Sequence, residues 1–143
     1  MVVLVAELHT QREMVLKRCN IDRENVFEIV KKEINILQRF EGPYITRLIE
    51  SDVQQIRSSR EALLLLEYYP GGHLLDRLNA RHGSLLPAES IYRIFGQILQ
   101  GVRAFHENNP PIINRDLKLE NILFGPVRIL YLSFLYSNSL TSS

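Results

Sequence analysis

No glycine occurs before Gly42, no aspartate after Asp116, and no charged residue after Arg128. The first absence excludes a glycine-rich phosphate-binding loop from the stretch ahead of Gly42, and the others remove any carboxylate metal ligand from the stretch beyond Arg128. The single cysteine, Cys19, excludes an internal disulfide and leads to the expectation of a reducing, cytoplasmic setting. The opening Met1-Val-Val-Leu-Val-Ala-Glu lacks the basic flank and the apolar length of a signal peptide. The apolar stretch Val127 to Tyr136 is about half the roughly 20 residues that a spanning helix needs, so no membrane span is expected. A net charge of +1 gives no argument for nucleic acid or an anionic membrane as partner. What is present is ordinary for a globular domain: 143 residues, 45% apolar and 23% charged, enough to bury a core.

Along the chain, 2–6 and 13–19 are β-rich runs joined by polar His9-Thr10-Gln11-Arg12, which predicts an antiparallel hairpin. A helix is predicted from Asp22 to Phe40, with Asp22 as its cap, Glu24 in the first turn and Gly42-Pro43 as its stop. Val26, Val30, Glu33 and Leu37 share one face of it. A short strand over Tyr44–Glu50, a polar loop over Ser51–Arg60 and an apolar strand over Ala62–Glu67 follow. Pro70-Gly71-Gly72 predicts a turn, His73–Ala80 a short helix, and Pro87 the start of a long helix with a stripe of Ile91, Ile94, Phe95, Ile98, Leu99, Val102 and Phe105. Asn108-Asn109-Pro110-Pro111 ends that helix, a polar loop follows, and Ile122-Leu-Phe reads as a strand. This order, β-β-α-β-β and then mostly helix, predicts an α+β protein with a sheet lobe and a helical lobe joined near Tyr69.

The loop itself reads Asn114-Arg115-Asp116-Leu117-Lys118-Leu119-Glu120-Asn121. It brings an acceptor carboxylate, a cation and a metal-ligand amide to one point. It differs at one position from H-R-D-L-x-x-x-N, and in this element order the chain resembles a protein kinase. The wording Pro110-Pro111-Ile112-Ile113-Asn114-Arg115-Asp116-Leu117-Lys118-Leu119-Glu120-Asn121 is similar to the P-P-I-I-H-R-D-L-K-x-E-N of the numb-associated kinase family, which includes adaptor-associated and cyclin-G-associated kinases. Lys31-Lys32-Glu33-Ile34 and the polar insert before the leucine strand resemble it too. The resemblance implies a partial kinase domain over 1–126, with 2–69 belonging to an incomplete N-lobe sheet and 70–126 to the start of a helical C-lobe. It leaves 127–143 as a divergent tail.

The resemblance also assigns roles. Met14-Val15-Leu16-Lys17 matches V-A-I-K, so Lys17 would reach the α- and β-phosphates of ATP. Glu33 sits on an apolar stripe, where a carboxylate is costly unless paired, and Lys17 is its natural partner. Leu66 to Tyr69 resembles the hinge, with Glu67 and Tyr69 meeting adenine through the backbone and Leu66 as gatekeeper. Ala6, Val15 and Leu123 would face the base. Asp116 would be the general base or orienting carboxylate, Lys118 would neutralise phosphoryl charge, and Asn121 would hold Mg2+. His73, His82 and His106 are read as surface or boundary residues. Asn114 stands where the family has histidine, predicting a weaker scaffold for the loop rather than lost chemistry. The implied activity is ATP γ-phosphoryl transfer to serine or threonine hydroxyls of a protein substrate, with clathrin adaptor medium subunits as the family's example.

Two departures bear on the chain as it stands. The glycine loop has no counterpart, and Tyr131-Leu132-Ser133 occupies the place of D-F-G. The isolated chain is therefore expected to be inactive. Two other readings stay open: a non-catalytic kinase-like module that binds nucleotide or a protein, and a truncated splice or gene-model product without function. In the tail, Ile129, Tyr131 and Ser133 alternate with Leu130 and Leu132, a pattern that would permit pairing with the sheet, though no such pairing is predicted.

Overall fold

The computed structural model describes residues 1–40 and 44–125, and the backbone of 130–132. Five elements make the first of two compact units. Strands β1 (Val2–Ala6) and β2 (Glu13–Asn20) form the predicted hairpin, and helix α1 (Glu24–Arg39) follows. Strands β3 (Leu48–Ile56) and β4 (Ser59–Glu67) complete an antiparallel sheet of order β1-β2-β4-β3. The second unit contains α2 (Leu74–Asn79), α3 (Ala88–His106), a 3-10 turn at Leu119–Asn121, and the antiparallel pair β5 (Ile122–Phe124) and β6 (Leu130–Leu132). The architecture is α+β, and no described helix is long and apolar enough to cross a membrane.

The sheet forms because β4 supplies a run of leucines to a central position. Ala62, Leu64 and Leu66 are buried on one face, while Leu63 and Leu65 are half-buried on the other. Coverage is therefore tighter on one side than an unbroken apolar run predicts. Lys17 pairs across the ladder with Leu64, and Val15 with Leu66, so both lie on the buried face. Helix α1 packs against β3 and buries Val30, Glu33 and Leu37.

Three predicted boundaries change. The strand assigned to Tyr44–Glu50 starts at Leu48, and the polar loop Ser51–Arg60 is instead a hairpin. Ile56 pairs with Ser59, leaving Arg57-Ser58 as the turn, and Arg57 adopts φ 58°. Hairpin turns of this length usually announce themselves with Asn-Gly or Asp-Gly, which this one lacks. The outer strand β3 exposes Asp52, Val53, Gln54 and Gln55, so no buried-face alternation marks it. Asp22 does not cap α1. Arg23 occupies that position without a side-chain cap, and the Asp22 carboxylate accepts the Arg60 N–H at 2.6 Å and an Asn20 Nδ2–H at 2.8 Å. The predicted stop, Gly42-Pro43, lies outside the described residues.

Those bonds hold the Asp22 carboxyl below its ordinary value of 3.8, with the Arg60 backbone amide the larger cause. The Arg18 guanidinium, at 2.7 and 2.9 Å, likewise holds Glu61 below 4.5. A carboxyl depressed in the folded state binds fewer protons there than in the unfolded chain. Its stabilisation is complete above the ordinary value and is lost as pH falls through the folded one. Stability measured by urea titration will therefore decline with acid below about pH 4.5, and Asp22→Asn will flatten the decline. An unchanged slope in that variant would exclude Asp22 as a contributor.

In the second unit, Leu74, Phe105, Ile122 and Phe124 form the core. Gly71 is required by a close approach. Its N–H bonds the Phe124 carbonyl at 3.0 Å, and an added Cβ would lie 2.5 Å from both Phe124 Cβ and that oxygen. Gly71→Ala will cost about 1–3 kcal/mol of stability in chemical denaturation, the usual range for overpacking. The stripe of α3 is only partly covered: Phe105 is buried, while Ile91, Phe95 and Leu99 are 50%, 58% and 52% exposed. In the tail, the backbone of Leu130–Leu132 forms a ladder with β5, in a pair separate from the four-stranded sheet.

Candidate active site

In the first unit, β2 and α1 place Lys17 Nζ 2.9 Å from Glu33 Oε1, with the side chains 6% and 8% exposed. Strand alternation turns Lys17 to the same face as Val15, and the helical repeat of α1 puts Glu33 between Val30 and Leu37. The pair is thus nearly dry, where opposite charges interact strongly and each is costly alone. Val15 is half-buried, Ala6 is exposed at the end of β1 opposite Glu13, and the Glu67 N–H bonds the Arg47 carbonyl at 3.0 Å. Cys19, two residues from Lys17, has its thiol pushed up by burial, which lowers its nucleophilicity at neutral pH.

In the second unit, the loop after α3 gathers the other group. Asn121 Nδ2 donates to both the main-chain oxygen and Oδ2 of Asp116, each at 2.8 Å. Lys118 Nζ lies 3.0 Å from Asp116 Oδ1. Asn121 is buried by the 3-10 turn that leads into β5, whereas Asp116 and Lys118 keep about a third of their surface in water. The arrangement presents a fixed carboxylate beside a cation, with an amide behind it.

Asn121 also permits a test of metal fit. Both of its side-chain hydrogen bonds use Nδ2, leaving Oδ1 as the acceptor that a metal-ligand amide requires. Mg2+ commonly takes one or two protein oxygens and completes its shell with water and phosphate. Asn121 fits as one such ligand. Among the described residues no group of three His, Cys, Asp or Glu could form a fuller cage.

Of the remaining predicted residues, Leu123 is half-buried in β5 opposite Tyr131, and Tyr69 is buried with its carbonyl accepting the Gly72 N–H at 3.2 Å. Arg115 is exposed and forms no ion pair among the described residues. Two contributors escaped the sequence reading. His73 Nδ1 bonds the Glu120 carbonyl, and the His73 backbone bridges to Leu123, so this histidine braces the turn that carries Asn121. The Arg77 guanidinium stacks 3.7 Å from the Phe124 ring centroid and donates to the Gly71 carbonyl at 3.0 Å. The Pro70-Gly71-Gly72 turn ahead of α2 is the only sequence cue to either. A cavity of about 300 Å³ between α2 and α3, floored by Leu74, Leu78 and Ile94, contains none of the predicted site residues.

A lysine–glutamate pair between a strand and a helix, and an Asp-x-Lys-x-x-Asn loop ahead of a short strand, together describe protein kinase machinery. The protein kinase domain family matches residues 1–130, and the chain belongs to it. It is 39% identical over 113 residues to a probable serine/threonine-protein kinase of Dictyostelium discoideum, covering 76% of this chain and 14% of that protein. It is 34% identical over 124 residues to serine/threonine-protein kinase ppk30 of Schizosaccharomyces pombe, covering 85% and 13%. It is 31% identical over 114 residues to actin-regulating kinase 1 of Saccharomyces cerevisiae, covering 77% and 18%. The chain therefore spans less than a fifth of the length of these relatives.

Proposed function

We propose that this chain carries part of the ATP-handling and catalytic machinery of a serine/threonine protein kinase of the numb-associated type. In this reading the gene product transfers the γ-phosphoryl group of ATP to a protein hydroxyl. The observation that carries the proposal is the bonded cluster of Asp116, Lys118 and Asn121, at 2.8 and 3.0 Å. Asp116 accepts the proton of the incoming hydroxyl, and Lys118 offsets charge on the transferring group. Asn121 Oδ1 would hold Mg2+, which would neutralise phosphate charge. By the family resemblance, Lys17, oriented by Glu33, would contact the α- and β-phosphates, Ala6, Val15 and Leu123 would be the residues for the base, and the backbone of Glu67 and Tyr69 would serve its edge. The substrate is a protein. Clathrin adaptor medium subunits are the class that the family resemblance favours, and the name of the yeast relative adds proteins of actin regulation as a second set to assay.

The test is a thermal-shift titration of the chain with ATP, with and without Mg2+. Ligand that binds only the folded state raises the melting temperature by mass action. A rise at millimolar ATP, larger with Mg2+ and reduced to the metal-free value by Asn121→Ala, is the expected result. No shift would remove nucleotide binding from the function of this chain and leave the kinase-like scaffold as a protein-binding module.

A further inference from the structure

We propose that Asn114 is a positioning residue for Asp116, acting through the main chain rather than through the reacting atoms. The inference rests on the kinase reading of Asp116, but its structural half stands without it. Asn114 Oδ1 accepts the Asp116 N–H at 2.9 Å. A side-chain oxygen bonded to the amide two residues on closes an Asx turn, which fixes the backbone between them. The carboxylate is then held at both oxygens, by Lys118 at Oδ1 and Asn121 at Oδ2, and Asn121 also takes the Asp116 carbonyl. Each polar group of Asp116 is thus engaged. Asn114 holds the amide, from the side of the chain ahead of the carboxylate. The smaller side chain at the family's histidine position does not merely leave the loop less supported; it supplies a different support.

The other half of the same amide does the reverse. Asn114 Nδ2 is buried and has no hydrogen-bond partner among the described residues. A buried donor without an acceptor forfeits hydration and gains nothing. Oδ1 therefore contributes a bond while Nδ2 opposes folding, so the side chain is nearly neutral for stability while it fixes the position of Asp116. Stability and geometry can then be separated by substitution. Alanine removes both effects. Serine removes the donor at Nδ2 but retains an oxygen able to accept the amide two residues on, more weakly than asparagine.

The experiment measures three quantities for wild type, Asn114→Ala and Asn114→Ser. These are amide hydrogen exchange at Asp116 in the ¹⁵N-labelled chain, the melting temperature, and kcat with KM for ATP in the full-length gene product. Asn114→Ala is expected to speed exchange at Asp116 about fivefold to tenfold, the equivalent of one net hydrogen bond. It should lower kcat at least about tenfold with KM for ATP unchanged, because misplacing a reacting group costs rate rather than nucleotide affinity. The melting temperature should stay level or rise. Asn114→Ser should restore most of the protection and of kcat. Wild-type protection and kcat in the alanine variant would overturn the proposal. So would a serine variant that matches alanine while both melt lower, since that pattern marks a merely structural side chain. If the wild-type product shows no transfer, the kinase reading fails, and the exchange comparison alone decides whether Asn114 fixes the loop.

Discussion

Replacing Lys17 by methionine will lower the stability of the protein by about 3–5 kcal/mol, the range for removing one member of a buried ion pair. The reason lies in the geometry of β2 and α1. Lys17 Nζ sits 2.9 Å from Glu33 Oε1, with both side chains under a tenth exposed. Met keeps the length of the lysine stem, so the packing against Leu64 and the face of Val15 survives, while the Glu33 carboxylate loses its ammonium in a dry environment. A buried carboxylate deprived of a counter-charge becomes costly and tends to take up a proton. Glu33→Gln will cost less, because its amide oxygen still accepts from the ammonium. The double variant Lys17→Met, Glu33→Leu will recover most of the loss, since two apolar groups of similar volume replace a pair whose desolvation was already expensive. A double-mutant cycle in urea over wild type, Lys17→Met, Glu33→Leu and the double variant checks this. Additive single effects, with the double variant as unstable as their sum, would show that the two groups do not act as a pair. The same cycle separates stability from function: the double variant should melt near wild type yet show no ATP-dependent thermal shift.

The pairing was legible in the sequence because two periodicities intersect. Val15 and Lys17 alternate on a strand, and Val30, Glu33 and Leu37 recur on a helix, so a cation and an anion each fell on a face that otherwise carries apolar side chains. The site loop was legible for a different reason: the identity and spacing of Asp116, Lys118 and Asn121 are a pattern of chemistry, not of packing. What stayed hidden depended on backbone geometry that no side chain advertises. The Arg57-Ser58 turn adopts a left-handed residue without glycine or asparagine, so a hairpin read as a loop. Asp22 has the composition of a helix cap, but a tertiary partner, the Arg60 amide, takes its carboxylate instead. The bond from the Asp116 amide to Asn114 is likewise invisible until the loop is folded. His73 reads as a surface or boundary histidine and is half-buried, but its bond to the Glu120 carbonyl stays hidden because that turn lies far along the chain. In each case a long-range or main-chain contact overrode a local preference.

If Asp116 is the base of the proposed kinase reaction, Asp116→Asn will reduce phosphoryl transfer by the full-length gene product about 10²- to 10⁴-fold, the range for losing a general base. This corresponds to roughly 3–6 kcal/mol of transition-state stabilisation at about 1.4 kcal/mol per tenfold. The substitution is nearly isosteric, so the Asn114 bond to the main chain persists. The side chain, however, can no longer satisfy both neighbours. Asp116 accepts from Lys118 at one oxygen and from Asn121 at the other, 3.0 and 2.8 Å away. An amide offers one oxygen and one NH2, so a donor must face either the Lys118 ammonium or the Asn121 amide. If it faces Lys118, that ammonium loses its anchor. If it faces Asn121, that amide is pushed from its position. Either outcome adds to the loss of the proton acceptor, and the two are distinguished by metal dependence. Displacing Asn121 raises the Mg2+ concentration needed for half-maximal rate, whereas releasing Lys118 leaves it unchanged. KM for ATP should hold in both cases, because the contact removed forms with the hydroxyl that receives the phosphoryl group. Undiminished transfer by the Asp116→Asn enzyme would eliminate Asp116 as the base, and with it the assignment of this loop as the centre of the reaction.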